Sequence, residues 1–264
     1  MFQLSFMRHA FAAATIIAVV SGMIGVFVAA RNMSFLTHTL SEIGFSGAAF
    51  AVFMQWPALL GMLLFTTLSS VIVGQLSSDE ARRESVISAV SALFLGLGIL
   101  FLSLSNKTAS SATSILFGSV VGISLPEVWQ LVILSVVVIA VLLLCYRMMK
   151  FDSFDDVGAR ANGLPQRLLA IVFLILVAVA VSVAAQIVGS LLIFILLTLP
   201  AASAKYYTHG VAKMILLAVL FSLVGTWLGL YLAYLSNWPV SFFIATIEVL
   251  IYGSALVYRW RVNN

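Results

Sequence analysis

The chain has 264 residues, of which 63% are hydrophobic and only 8% are charged, whereas about 25% of the residues in a soluble domain are charged. This composition excludes a water-soluble globular protein and, equally, a disordered, collagen-like or disulfide-rich one. The formal net charge is +4, and the single cysteine cannot form an intrachain disulfide. The chain is therefore expected to fold in the lipid bilayer.

Nine stretches of the sequence carry almost no charge and are each about 20 residues long, the length of a helix that crosses the hydrocarbon core. Strands are excluded because the stretches lack the alternation of about ten-residue segments that a membrane barrel requires. The sequence therefore predicts a single all-α transmembrane domain over residues 1–264, with about nine membrane-spanning helices and eight as the alternative count. In chain order, the stretches are residues 11–30, 33–54, 57–76, 85–106, 128–146, 168–186, 187–204, 214–235 and 239–258.

The Lys and Arg residues lie mostly in alternate connections between these stretches. Basic residues near helix ends are retained on the cytoplasmic side of a membrane. With the C-terminus in the cytoplasm, eleven Lys and Arg residues lie on that side, and only Arg8 and Lys107 lie outside. The predicted chain is thus a multi-pass membrane protein with a cytoplasmic C-terminus and, for nine crossings, an external N-terminus.

The most polar connection covers residues 151–165. Its acidic residues come first, Asn162 and Gly163 form a typical helix stop, and Pro165 opens the next hydrophobic stretch. This pattern predicts a short helix on the cytoplasmic side. A longer connection at residues 106–127 is rich in Ser and Gly and contains an apolar segment that suits a half-helix dipping into the membrane rim.

Three sequence motifs occur together and in the same order in one family of membrane proteins. The polar connection reads Phe151-Asp152 and then Ala161-Asn162-Gly163-Leu164-Pro165. An I-L-F-G element is present as Ile115-Leu116-Phe117-Gly118, and a V-G-x-x-L helix ending in P-A-A-x-A runs from Val188 to Ala204. By these motifs the chain resembles, over essentially its whole length, the membrane subunit of bacterial ABC importers that take up zinc, manganese or iron with a solute-binding protein.

The resemblance implies a type II ABC importer permease, assembled as a homodimer of this chain in the lipid of the bacterial cytoplasmic (inner) membrane. It also implies a cytoplasmic ABC ATPase dimer and an extracytoplasmic metal-binding solute-binding protein as partners, and no nucleic acid. A divalent metal ion is then the transported substrate, and no cofactor is bound permanently. The residues that the resemblance assigns to ATPase coupling lie in the polar connection: Phe151, Asp152, Asp155, Asp156, Arg160, Gly163 and Pro165.

The chain itself is not expected to be an enzyme. A phosphate-binding motif of the form G-x-x-x-x-G-K-S/T is absent from the sequence, so ATP hydrolysis belongs to a partner chain. An intramembrane metalloprotease is a distant alternative, which is disfavoured because no H-E-x-x-H motif occurs. The alternative within transport is a permease for a metal chelate or a cobalamin-type substrate, which would require a wide and weakly charged channel.

The candidate metal ligands are His38 and Glu42. Members of the resembled family carry S-L/M-x-D-A-I/L-S-H-A in the second helix, and the resemblance places His38 at the Asp position and Glu42 at the His position. Residues four apart lie on one helix face, about 6 Å apart at Cβ, so an imidazole nitrogen and a carboxylate oxygen can reach one divalent ion. The alternative is that the two side chains form a purely structural pair.

A carboxylate inside a span costs on the order of 2.5–3.5 kcal/mol to insert and is normally kept for function or paired within the bundle. Glu248 is the second such acid, in the last stretch. It is a further candidate as a metal ligand or relay, with a hydrogen-bonded pair to Ser or Thr as the alternative.

The residue types of the candidate ligands do not decide which metal is transported. Imidazole suits zinc and carboxylate suits manganese, so zinc, manganese and iron(II) all stay possible cargoes.

Overall fold

The computed structural model describes residues 5–76, 80–105 and 123–263. These residues form eleven α-helices and no β-strand, which confirms the all-α prediction. The predicted half-helix and its I-L-F-G element lie outside the described residues. The helices are α1 Ser5–Ala30, α2 Ser34–Met54, α3 Ala58–Leu76, α4 Glu80–Leu104, α5 Leu125–Leu144, α6 Tyr146–Phe154, α7 Asp156–Ala161, α8 Gln166–Val188, α9 Ser190–Tyr207, α10 Val211–Ser236 and α11 Val240–Asn263.

Seven helices in the described part of the chain are long and apolar enough to cross a membrane, namely α1, α3, α4, α5, α8, α10 and α11. They confirm a multi-pass membrane protein. Two other helices coincide with predicted stretches but are not among these seven: α2, which carries His38, Glu42 and several Ser and Thr residues, and α9, in which Leu192–Tyr207 is a shorter apolar stretch. The count of nine crossings is therefore not confirmed and stays a prediction.

Helix α2 lies inside the bundle, in contact with α3, α4, α8 and α9. Gly47 of α2 and Gly61 of α3 face each other so closely that a Cβ atom on either residue would collide with the carbonyl oxygen of the other. In the same way, a Cβ atom on Gly98 of α4 would lie 2.6 Å from Oγ of Ser46. Small residues that permit backbone contact are typical of helix packing in membranes. These contacts fix the position of α2, which carries the candidate metal ligands.

The junction between α8 and α9 is a single residue, Gly189, with φ 88° and ψ 154°. A side chain would strain this backbone conformation, which glycine adopts readily. The hydrophobic stretches predicted a boundary between residues 186 and 187, whereas α8 continues to Val188. The sequence stays apolar through the junction, so the glycine is the local signal that marks the break.

Candidate metal site and coupling segment

The candidate ligands His38 and Glu42 lie one turn apart on α2. Nδ1 of His38 is 3.7 Å from Oε1 of Glu42, and the two side chains are 42% and 36% exposed. Most other residues of this helix are buried. Titratable side chains within membrane segments almost always face the bundle interior or a water-filled cavity, because contact with lipid is costly. The exposure of this pair therefore indicates a cavity or a subunit contact on this face of α2.

A cavity of about 530 Å³ lies beside the pair, between α2, α4 and α9. His38 and Glu42 line it together with mainly apolar side chains, among them Phe45, Leu95 and Phe194. The imidazole of His38 packs edge to face against Phe194, with the ring centroids 5.0 Å apart. The attraction between a carboxylate and a cation is stronger in such surroundings than in bulk water, which favours binding of a divalent ion beside the pair.

Ser91 of α4 holds the carboxylate of Glu42. Its hydroxyl donates a hydrogen bond of 3.0 Å to Oε2 of Glu42, and Ser91 itself is buried. The other carboxylate oxygen, Oε1, lies nearer the imidazole of His38 and is not used in this hydrogen bond. His38 and Glu42 can therefore each present a donor atom to the same ion. Sequence reasoning missed Ser91 because a serine in a mostly apolar helix gives no signal beyond its polarity.

The pair in one chain offers one nitrogen donor and one oxygen donor. Zinc usually takes four ligands, and manganese takes about six. Within the residues that the structure describes, no group of three or more His, Cys, Asp or Glu side chains comes together. With these residue types, the described part of one chain therefore supplies only part of a coordination shell.

Glu248 lies elsewhere, at the contact between α10 and α11. Its side chain is fully buried against Gly225, where a Cβ atom would collide with Oε1. Among the described residues, neither of its carboxylate oxygens has a hydrogen-bond partner. Glu248 is also not one of the described residues that line the cavity beside His38 and Glu42. The structure does not bring it to the pair, and its role as a ligand stays a prediction.

The polar connection forms the two short helices α6 and α7. The side chain of Asp155 accepts a hydrogen bond of 2.9 Å from the backbone N–H of Gly158 and so caps the start of α7. Gly163 follows the end of α7 in the left-handed conformation, with φ 64°, as glycine commonly does after a helix. Helix α6 extends the helical part of this segment back to Tyr146. We call residues 146–165 the coupling segment.

Most residues predicted to couple to an ATPase are exposed on the coupling segment: Phe151, Asp155, Arg160, Gly163 and Pro165. The side chain of Asp156 lies outside the described part of the structure. The five exposed side chains are therefore accessible to a partner protein.

Asp152 is placed differently from the other predicted coupling residues. Its carboxylate forms a 2.6 Å ion pair with Arg31, and the two side chains are only 9% and 7% exposed. Nε of Arg31 also donates a hydrogen bond of 2.8 Å to Oγ of Ser153, and the guanidinium lies 4.2 Å from the ring centroid of Phe173. Asp152 therefore attaches the coupling segment to the turn between α1 and α2.

The described helices form a mostly apolar bundle with a nitrogen–oxygen pair beside a cavity and a polar segment attached at one end. The chain matches the ABC 3 transport family over residues 3–259 and belongs to this family. The resemblance inferred from the sequence motifs is thereby confirmed.

The relatives of the chain include permeases of metal transport systems. It is 29% identical to the manganese transport system membrane protein MntC of Listeria monocytogenes, over 97% of this chain and 91% of that protein. It is 27% identical to the manganese import system permease protein ScaB of Streptococcus parasanguinis, over 89% of this chain and 84% of that protein. Its fold is similar to PsaBC from Streptococcus pneumoniae, solved in complex with Fab, with a TM-score of 0.85 at 24% identity, covering 96% and 91% of the two chains.

Proposed function

We propose that this chain is the permease subunit of an ATP-driven importer for a divalent metal ion, manganese(II) in particular. The observation that carries the proposal is the pair of His38 and Glu42, whose imidazole nitrogen and carboxylate oxygen lie 3.7 Å apart beside a cavity, in a chain of the ABC 3 transport family. Such donors suit manganese, zinc and iron(II). Manganese is favoured because two relatives are named for manganese transport.

The proposed active form is a homodimer. His38 and Glu42 are 42% and 36% exposed in a single chain, and a charged side chain at the centre of a membrane helix costs on the order of 2.5–3.5 kcal/mol to insert. A second copy against this face of α2 removes the pair from lipid. By twofold symmetry it also brings a second imidazole and a second carboxylate, so that the dimer offers four donors to one ion.

The proposed partners act on opposite faces of the membrane. A cytoplasmic ATPase dimer docks on the coupling segment, which is supported by the exposure of Asp155, Arg160 and Gly163. A solute-binding protein delivers the ion to the external face. In this topology the C-terminus is cytoplasmic and the chain crosses the bacterial cytoplasmic membrane nine times. Helices α2 and α9 line the pore instead of facing lipid, which accounts for the polar side chains of α2.

The proposal is tested by metal uptake into lipid vesicles that contain the purified complex with its ATPase. With ATP and the solute-binding protein, we expect radioactive manganese to accumulate, and unlabelled manganese to compete better than zinc or iron(II). Preferential uptake of a metal chelate would favour the chelate permease instead. Absence of ATP-dependent uptake of all three free ions would contradict the proposal.

We expect Ser91→Ala to raise the KM for metal uptake by about tenfold, because partners that orient a metal ligand typically contribute about 10–100-fold to affinity. Ser91→Thr keeps the hydroxyl and should restore most of the affinity. Ser103→Ala on the exposed side of the same helix is the matched control. An unchanged KM in Ser91→Ala, measured beside this control, would show that the hydrogen bond to Glu42 does not position the carboxylate for metal.

We expect two changes in the coupling segment to reduce association with the ATPase while leaving membrane insertion intact. Replacing Asp155 and Asp156 by Ala removes the cap of α7, a loss of about 1 kcal/mol of local stability. Gly163→Val forces a side chain into the left-handed conformation, at a cost of about 1–2 kcal/mol. Co-purification of the ATPase measures the effect, with Ser236→Ala at the opposite end of the bundle as control. Normal co-purification and transport in both variants would refute the docking assignment.

The proposed topology predicts which side of the membrane each connection faces. In a chain with Cys145→Ser, a cysteine at Asn162 should react with a membrane-impermeant thiol reagent only from the cytoplasm. A cysteine at Asn237, in the turn between α10 and α11, should react only from outside. Both positions are exposed, so reactivity reports the side of the membrane. Labelling of the cysteine at position 162 only from outside and of the cysteine at position 237 only from the cytoplasm would show that the orientation is opposite to the proposed one.

A further inference from the structure

A second large cavity lies at one end of the bundle and has a different chemistry from the cavity beside His38. Its volume is about 600 Å³, and it lies where the end of α1, the start of α2 and the ends of α9 and α11 meet. Lys205 and Arg259 line it, together with the hydroxyl-bearing residues Ser34 and Tyr206. None of its described lining residues is acidic.

The two cations of this cavity lack an acidic partner among the described residues. In that part of the chain, neither Lys205 nor Arg259 forms an ion pair with an Asp or Glu side chain. The guanidinium of Arg259 instead lies 5.2 Å from the ring centroid of Tyr206. Two cations and several hydroxyl groups around one cavity can donate charge-assisted hydrogen bonds to a phosphate.

The cavity lies at the ends of two helices that are long and apolar enough to cross a membrane. The apolar stretches of α1 and α11 end at Ala30 and Val262, next to the cavity wall. Near it, Tyr258 and Trp260 are 45% and 66% exposed, and aromatic side chains of these types are enriched at membrane interfaces. The ends of membrane-spanning helices lie in the headgroup region, which favours a lipid over a free anion.

We propose that this cavity binds the phosphate of an anionic phospholipid such as phosphatidylglycerol. Lys205 and Arg259 pair with the phosphate, and the hydroxyls of Ser34 and Tyr206 donate further hydrogen bonds. Basic pockets between membrane helices bind anionic headgroups in this way. Ser34 is the first residue of α2. The bound lipid therefore holds the start of the helix that carries the candidate metal ligands.

Native mass spectrometry of the purified permease with phosphatidylglycerol or phosphatidylcholine tests the proposal. We expect phosphatidylglycerol to be retained and phosphatidylcholine to be lost. Each neutralised cation should weaken phosphatidylglycerol binding about fivefold, so the double variant Lys205→Gln with Arg259→Gln should weaken it about 30-fold. The charge-conserving variant Lys205→Arg with Arg259→Lys should keep most of the binding. Lys213→Gln and Arg261→Gln neutralise exposed basic residues that do not line the cavity, and they should bind lipid as the native chain does.

The remaining outcomes distinguish lipid from other occupants. Excess inorganic phosphate should not displace the lipid; displacement, with no preference for phosphatidylglycerol, would identify a free-anion site and overturn the lipid assignment. If the double glutamine variant keeps its lipid but no longer co-purifies with an ATPase, the cavity is a protein contact and the proposal is wrong. Equal retention by the glutamine variants of the cavity and by the controls would also overturn it. Because lipid retention is measured without transport, these outcomes do not depend on the proposed import function.

Discussion

Replacing His38 with Ala and Glu42 with Gln in the same chain should abolish metal uptake. The change removes both donor atoms, and in the proposed dimer all four. Loss of a residue that merely supports a metal ligand costs about 10–100-fold, so loss of the ligands themselves should reduce uptake by more than about 100-fold. Vesicles with the purified complex provide the measurement. The variant should still assemble with the ATPase, because neither side chain is needed to fill the core.

The reversed pair His38→Asp with Glu42→His is the informative companion, since it restores the order found in the resembled family. It keeps one nitrogen and one oxygen donor and should retain transport. If His38→Ala with Glu42→Gln transports at the native rate, the pair is structural and Glu248 becomes the residue to test.

The second large effect is expected from breaking the ion pair between Arg31 and Asp152. Both side chains are less than a tenth exposed, so Arg31→Gln leaves a buried carboxylate without its counter-charge. Asp152→Asn leaves a buried guanidinium without its counter-charge. Removal of one partner of a buried pair typically costs about 3–5 kcal/mol. Each variant should therefore unfold at a markedly lower temperature in detergent.

A double-mutant cycle separates the pair from other contacts of Arg31. The combined variant Arg31→Gln with Asp152→Asn should lose less stability than the sum of the single losses, because neither charge is left alone. Arg147→Gln removes an exposed arginine of the same segment and is the matched control. A Tm of Arg31→Gln equal to that of this control would contradict the importance of the pair.

The sequence predicted the helical class, the polar connection and the spacing of His38 and Glu42 because each depends on local composition or on the period of one helix. It missed the bond from Ser91 to Glu42 because that contact depends on how α2 and α4 are rotated against each other. The inward position of Asp152 was missed for a similar reason, since charge alone does not distinguish a docking residue from one that is paired with Arg31.

The count of crossings was harder to predict for a different reason. Hydropathy recognises helices that stay apolar over the length of a span, and it identifies seven such helices in the described part of the chain. Helix α2 has polar residues because it carries the candidate site, so the property that makes it functionally interesting also weakens its membrane signal. Glu248 illustrates the opposite case, in which an acid within an apolar helix was evident from the sequence but its surroundings were not.

The contact between Gly47 and Gly61 limits the ways in which the permease can open. At this crossing the two backbones touch without an intervening side chain, so no flexible atoms there could absorb a sliding movement of α2 along α3. We therefore expect the two helices to be displaced as a rigid unit during transport. In the proposed homodimer, the width of the pore would then depend on the separation of these units in the two subunits, and alternating access would be a change of quaternary arrangement.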